Sequence, residues 1–260
     1  YCEKKILDFF NIRKDNKNKK IIDNFEEYLE KKQKTLGFTL SSEQQKAVEL
    51  INSGEKTLFL IGYAGTGKST SSRAILELLE EIVSYDDIIA IALSGIASQR
   101  ISDTTGYNAS TIQSLLVKHK EKDFFPYKVI LLDEASMVNS ITFAQIISKI
   151  SDDTIFIIVG DDGQLPAIGA GNILADSIKY ELAPICKLTK IYRQNENQAI
   201  AVIANDIRKG ELPNYKEEYE DFKFVDVSIG NYYSMKNSLT QNEFSDMRGE
   251  NSEYILNNIL

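Results

Sequence analysis

From residue 38 onward, short apolar runs alternate with amphipathic stretches. "TLFLIG" (57–62), "DIIAIALS" (87–94), "KVILLDE" (128–134), "TIFIIVG" (154–160) and "CKLT" (186–189) are apolar almost throughout, which predicts strands buried on both faces. Between them, "TSSRAILELLEEI" (70–82) and "SITFAQIISKI" (140–150) carry apolar residues at three- and four-residue spacing and predict helices. Strands and helices in that alternation predict an α/β fold, a parallel sheet with helices on both faces. The first 37 residues follow another pattern. They are Lys- and Glu-rich, with Ile6, Phe9, Phe10, Ile21, Ile22, Phe25 and Leu29 spaced for one or two amphipathic helices. The expectation is a helical N-terminal leader over 1–37 that packs on the main body.

Composition narrows the class without naming a function. A chain of 260 residues holds one large domain, or a domain and part of another. No apolar run approaches the roughly 18 residues of a membrane helix, and "YCEKKILDFF" lacks a signal-peptide pattern. No membrane partner and a cytoplasmic location are therefore expected. Cys2 and Cys186 are far apart and lack zinc-ligand spacing, so both are expected as reduced thiols. The net charge of −8 argues against a broad basic face for nucleic acid, but allows a narrow basic groove on an acidic body. The chain starts at Tyr1 and stops in "SEYILNNIL", which suggests a piece of something longer.

The most specific chemistry lies in "GYAGTGKST", Gly62 to Thr70, which matches G-x-x-x-x-G-K-[ST]. It follows a predicted strand and opens a predicted helix, the context in which backbone N–H groups and a helix N-terminus cradle phosphate. Gly62, Ala64, Gly65, Thr66, Gly67, Lys68, Ser69 and Thr70 are the expected binding residues. Lys68 would reach the β- and γ-phosphates of ATP, and Ser69 would ligate Mg²⁺. A second oxygen ligand is expected from Asp133, at the end of the "VILLDE" strand. Glu134 beside it is placed to orient and deprotonate water. An activated water favours a hydrolase over a kinase.

Two later stretches add candidates. "GDDGQLPAIGAGN" (160–172) offers Gln164 as a neutral group that could sense the γ-phosphate. "LTKIYRQ" (188–194) places Arg193 just past a strand, where a cation could stabilise a transferring phosphoryl group.

The ordered set "LSSEQQKAV", "GYAGTGKS", "ALSGIASQRI", "STIQSLL", "LLDEASMV", "GDDGQLPAIGAGNIL" and "LTKIYRQ" resembles superfamily 1 DNA helicases of the RecD and Dda type. The resemblance covers roughly residues 38 to 213 and implies a RecA-like P-loop NTPase. It implies a first motor domain over 38–195, with a short pin insertion near 117–127, and the beginning of an incomplete second motor domain over 196–260. It further implies that Gln44 reads the adenine edge, Gln164 couples phosphate state to DNA grip, and Arg193 acts as an arginine finger. Ser94, Gly95 and Thr111 would touch the DNA backbone of a single strand or a single-strand/duplex junction.

The sequence also departs from the family. Leu93-Ser94-Gly95-Ile96 stands where Pro-Thr-Gly-Lys is usual, which removes one cation, and Gln113 replaces a His. His119, the sole histidine, is expected in a solvated loop. Phe124 and Phe125 could stack on bases or form a lid on the core. The leading expectation is an ATP-dependent helicase or translocase that moves 5′ to 3′ on single-stranded DNA. The alternatives are a non-translocating ATPase switch or assembly factor, and a helicase module of a larger relaxase or repair enzyme.

Overall fold

A computed structural model describes residues 1–37 and 39–190, with residues 203, 206–207 and 210–212. The chain divides into two compact units, Tyr1–Arg193 and Gln194–Leu260. The leader is part of the first unit. In chain order that unit contains α1 (Cys2–Lys14), α2 (Phe25–Leu36), α3 (Ser42–Asn52), β1 (Thr57–Gly62), α4 (Lys68–Leu79), β2 (Ile88–Ala92) and α5 (Gly95–Thr105). There follow β3 (Ala109–Thr111), α6 (Ile112–Lys118), β4 (Val129–Leu132), α7 (Ser140–Ile147), β5 (Ile155–Gly160), α8 (Ile173–Lys179) and β6 (Ile185–Leu188).

The six strands form one sheet in the order β3-β2-β4-β5-β1-β6, with every pairing parallel. Alternate side chains on each strand feed opposite layers. Leu58, Leu60, Ala90, Leu131 and Ile157 meet Val48 and Ile51 of α3, Ile75 and Leu79 of α4, and Ile101 of α5. Phe59, Ile61, Ile91, Leu132 and Ile158 meet Ile6 and Phe10 of α1, Leu115 of α6, Phe143 and Ile146 of α7, and Leu174 of α8. Both faces are thus covered, as the continuous apolar strands require, and the predicted fold class holds.

Helix α1 is part of that second layer. Phe10 is 1% exposed and stacks on Phe143 with ring centroids 6.2 Å apart. Arg13, at the last turn of α1, is buried. It donates to Thr57 Oγ1 at 2.8 Å, to the carbonyls of Lys56 and Ser151 at 2.9 and 3.1 Å, and to the Thr154 carbonyl. Burial draws its pKa down to about 10, so the guanidinium still carries its charge at neutral pH.

Several boundaries differ from the periodicity reading. The helix expected over 70–82 begins at Lys68 and ends at Leu79, because Gly67 is its N-cap and the last turns unwind beyond Glu80. Strand β3 and helix α5 were not anticipated. The strand has three half-buried residues, too few for an alternation to show, and α5 opens inside a run read as a motif.

Candidate active site

In a parallel sheet all strands end on one side, and loops from several of them converge there. The loop after β1 turns on Gly65 (φ 85°) and Gly67 (φ 83°), left-handed conformations that a side chain rarely tolerates. Thr66 is fully buried beneath the loop, and its hydroxyl donates to the Tyr63 carbonyl at 2.8 Å. Ser71 Oγ donates to the Gly67 carbonyl at 3.1 Å. These bonds fix the curl that aims the N-terminus of α4 outward. Lys68 lies along the loop, with Nζ donating to the carbonyls of Gly62 and Tyr63.

Asp133 follows β4. Its Oδ1 accepts from the Glu134 N–H at 2.9 Å. Burial pushes its pKa up, opposed by that bond and by the charges of Lys68 and Arg100. Glu134 stands at φ 53°, ψ 39°, a left-handed conformation unusual for a residue with a side chain. It starts a short 3₁₀ turn, Ala135–Met137, in which Ser136 Oγ donates to Gln164 Oε1 at 3.1 Å.

Tyr63, Ala64, Gly65, Gly67, Lys68, Ser69, Thr70, Asp133, Glu134 and Gln164 line one open cleft of about 420 Å³, together with Arg100, Ile101 and Thr104 of α5. The left-handed glycines make a cradle, Lys68 and the α4 N-terminus supply positive charge, and Ser69 and Asp133 supply oxygen ligands. That donor set fits a triphosphate with a hard divalent cation. Sequence reasoning missed Arg100. It stands five residues into α5 with Thr104 one turn on, a helical spacing that would have flagged a shared face had α5 itself been recognised.

The other candidates lie elsewhere. Gln44 is buried at the start of α3, where its Oε1 accepts from the Ser41 N–H at 2.9 Å in a capping box, and its Nε2 approaches the Gly67 carbonyl at 3.5 Å. Gly62 sits under the loop, where a Cβ would come within 2.4 Å of Thr66 Oγ1. Arg193 falls outside the described residues. Ser94 and Thr111 cap α5 and α6 by accepting from the N–H groups of Ala97 and Ser114, each at 3.1 Å. Gly95 is the exposed first residue of α5. Because Ala92 pairs with Thr111, all three lie at the same sheet end as the cleft.

Two expectations within residues 117–127 need correction. Phe125 is 4% exposed and belongs to the core layer of α6 and α7, so its ring is not presented for stacking on a base; Phe124 beside it is half-exposed. His119 is buried rather than solvated, with its ring edge-on to Phe125 and Tyr127. The short connection after α6 turns His119 and Phe125 inward onto the core while Phe124 stays half-exposed.

Residues 39–228 match the AAA domain family. Over 185 residues the chain is 30% identical to the ATP-dependent RecD2 DNA helicase of Deinococcus radiodurans, covering 69% of this chain and 25% of that protein. It is 31% identical over 202 residues to the ATP-dependent DNA helicase RRM3 of Saccharomyces cerevisiae, covering 66% and 28% respectively. The chain thus spans about a quarter of the length of these relatives. A crystal structure of Pif1 helicase from Candida albicans superimposes with a TM-score of 0.50 at 24% identity, over 68% of this chain and 45% of that one, which is a likeness of fold. With phosphate loop, acidic pair and Gln164 gathered in one cleft, and these matches over the same residues, the chain belongs to the AAA domain family and is similar in sequence to RecD-type DNA helicases.

Proposed function

We propose that this chain supplies the first motor domain of an enzyme that hydrolyses ATP to move along single-stranded DNA. The observation that carries the reading is the convergence of Lys68, Ser69, Asp133, Glu134 and Gln164 on one cleft. Lys68 leaves its loop carbonyls to bind the β- and γ-phosphates, and the N–H groups of 64–69 hold the phosphate chain. Ser69 and Asp133 would hold Mg²⁺, which supplies charge neutralisation across the phosphate oxygens when bound. Glu134 orients the attacking water and takes its proton, while Gln164 senses the γ-phosphate. Gln44 reads the adenine edge, and Arg193 stabilises charge on the phosphoryl group.

The DNA would cross the end of the sheet, past Ser94, Gly95, Thr111 and the half-exposed Phe124. Movement needs a second motor domain that closes on the nucleotide and reopens after hydrolysis. Cytoplasmic location and travel from 5′ to 3′ complete the proposal. Among the described residues, no helix is long and apolar enough to cross a membrane.

A second reading is an ATPase switch that does not translocate. It is favoured by Ile96, 86% exposed where the family places a cation for the DNA backbone. One measurement separates the two: ATP hydrolysis by the full-length protein with and without a saturating single-stranded oligonucleotide at low salt. Stimulation supports the motor, and an unchanged rate supports the switch.

A further inference from the structure

The loop that carries Gln164 is held in an unusual way. Its apolar side chains do not anchor it: Leu165 is 87% exposed and Ile168 96%. What ties it down is the turn that follows Glu134. Ser136 Oγ donates to Gln164 Oε1 at 3.1 Å, and Asn139 Nδ2 donates to the Ile168 carbonyl at 3.2 Å. Ser140 donates to the Ala170 carbonyl twice, from its N–H at 3.0 Å and its hydroxyl at 2.8 Å. Gly171 completes the seat. It has φ 83°, and a Cβ there would come within 1.7 Å of Ser140 Oγ. One short segment, 134–140, therefore begins with the proposed base and ends as the strap of the sensor loop.

An amide side chain has one acceptor end and one donor end. With Oε1 engaged by the buried Ser136 hydroxyl, the NH₂ group is the end of Gln164 left to donate within the cleft that the residue lines. We infer that Ser136 is a positioning residue that makes Gln164 a hydrogen-bond donor toward the γ-phosphate, with Asn139, Ser140 and Gly171 holding the loop in register. The inference rests on the ATP-hydrolysing reading above. It assigns a task to the serine of "DEASMV" that does not involve touching nucleotide. It also ties the sensor to the strained backbone of Glu134, so that base and sensor shift together.

The test is a double-mutant cycle in the full-length protein, with kcat and KM for ATP measured at saturating single-stranded oligonucleotide. Ser136→Ala should lower kcat about tenfold, the loss expected when one orienting hydrogen bond disappears from the transition state. Affinity for a fluorescent ATP analogue should stay within about twofold. In a Gln164→Ala background the same substitution should change kcat by less than about twofold, because Ser136 acts through Gln164. Gln164→Glu, which points a carboxylate oxygen at phosphate, should be slower than Gln164→Ala. Gly171→Ala provides an independent probe, since it displaces the strap without altering Ser136, and it should lower kcat with affinity retained. An equal loss from Ser136→Ala in both backgrounds, or an unchanged kcat in Gly171→Ala, would overturn the positioning role. Wild-type turnover in Lys68→Ala would instead sink the ATPase reading itself.

Discussion

Glu134 holds a backbone conformation that costs a residue with a side chain about 1–3 kcal/mol, and such costs persist where the surroundings impose them. Glu134→Gln keeps the shape and removes the carboxylate proposed as the base. The variant should bind ATP and hold it unhydrolysed, as read by nucleotide retained after gel filtration; normal turnover would remove Glu134 from the base's role. Lys68→Ala should lower hydrolysis by at least about a hundredfold, since one charge-assisted contact to the transferring phosphoryl group carries several kcal/mol. His119 offers a different experiment. Its ring is buried, neither nitrogen has a hydrogen-bond partner among the described residues, and burial lowers its pKa, with Lys122, Lys118 and Lys149 adding to the effect. The unfolded chain takes up a proton near pH 6.5 that the folded chain resists. Stability from the neutral ring is therefore complete above that pH and drains away as pH falls below it. Melting temperature should drop more steeply between pH 7.5 and 5.5 in the wild type than in His119→Phe. Parallel curves would contradict the assignment.

At the scale of elements, the leader helix α1 turns out to be structural. Phe10 sits between Phe59 and Phe143, and Arg13 gathers carbonyls at the entry ends of β1 and β5. Phe10→Ala should cost about 3–5 kcal/mol in denaturant unfolding, the usual range for emptying a buried aromatic site. A loss below about 1 kcal/mol would mean that α1 only rests on the surface. Helix α4 shows the converse economy. Its N-terminus is the phosphate cradle, while Ile75, Leu76, Leu78 and Leu79 are all fully buried, so the binding end is held by the core beneath it. That is why a loop of glycines can keep one shape.

For the whole molecule, the net charge of −8 confines any attraction for DNA to local surface. Stimulation of ATP hydrolysis by single-stranded oligonucleotide should accordingly be several-fold at about 50 mM salt and should fade by about 200 mM, as phosphate contacts are screened. Salt-independent stimulation would point to base stacking as the main contact.

Sequence alone determined five of the six strands, the phosphate loop and the acidic pair, because each is written in contiguous residues. An apolar run of five or six can only be a buried strand here, and a glycine-rich turn before a helix has few other uses. It also carried the resemblance, through the order of its motifs. The fates of side chains that depend on distant neighbours lay beyond it. Nothing local distinguishes Phe125 from Phe124, yet one is core and the other half-exposed, and His119 reads as a loop residue until α6 is seen to end over the core. Arg100 reaches the cleft, and Ser136 meets Gln164, only because β2, β4 and β5 lie side by side in the sheet. Burial and convergence are properties of packing between segments far apart in the chain, and only the tertiary structure decides them.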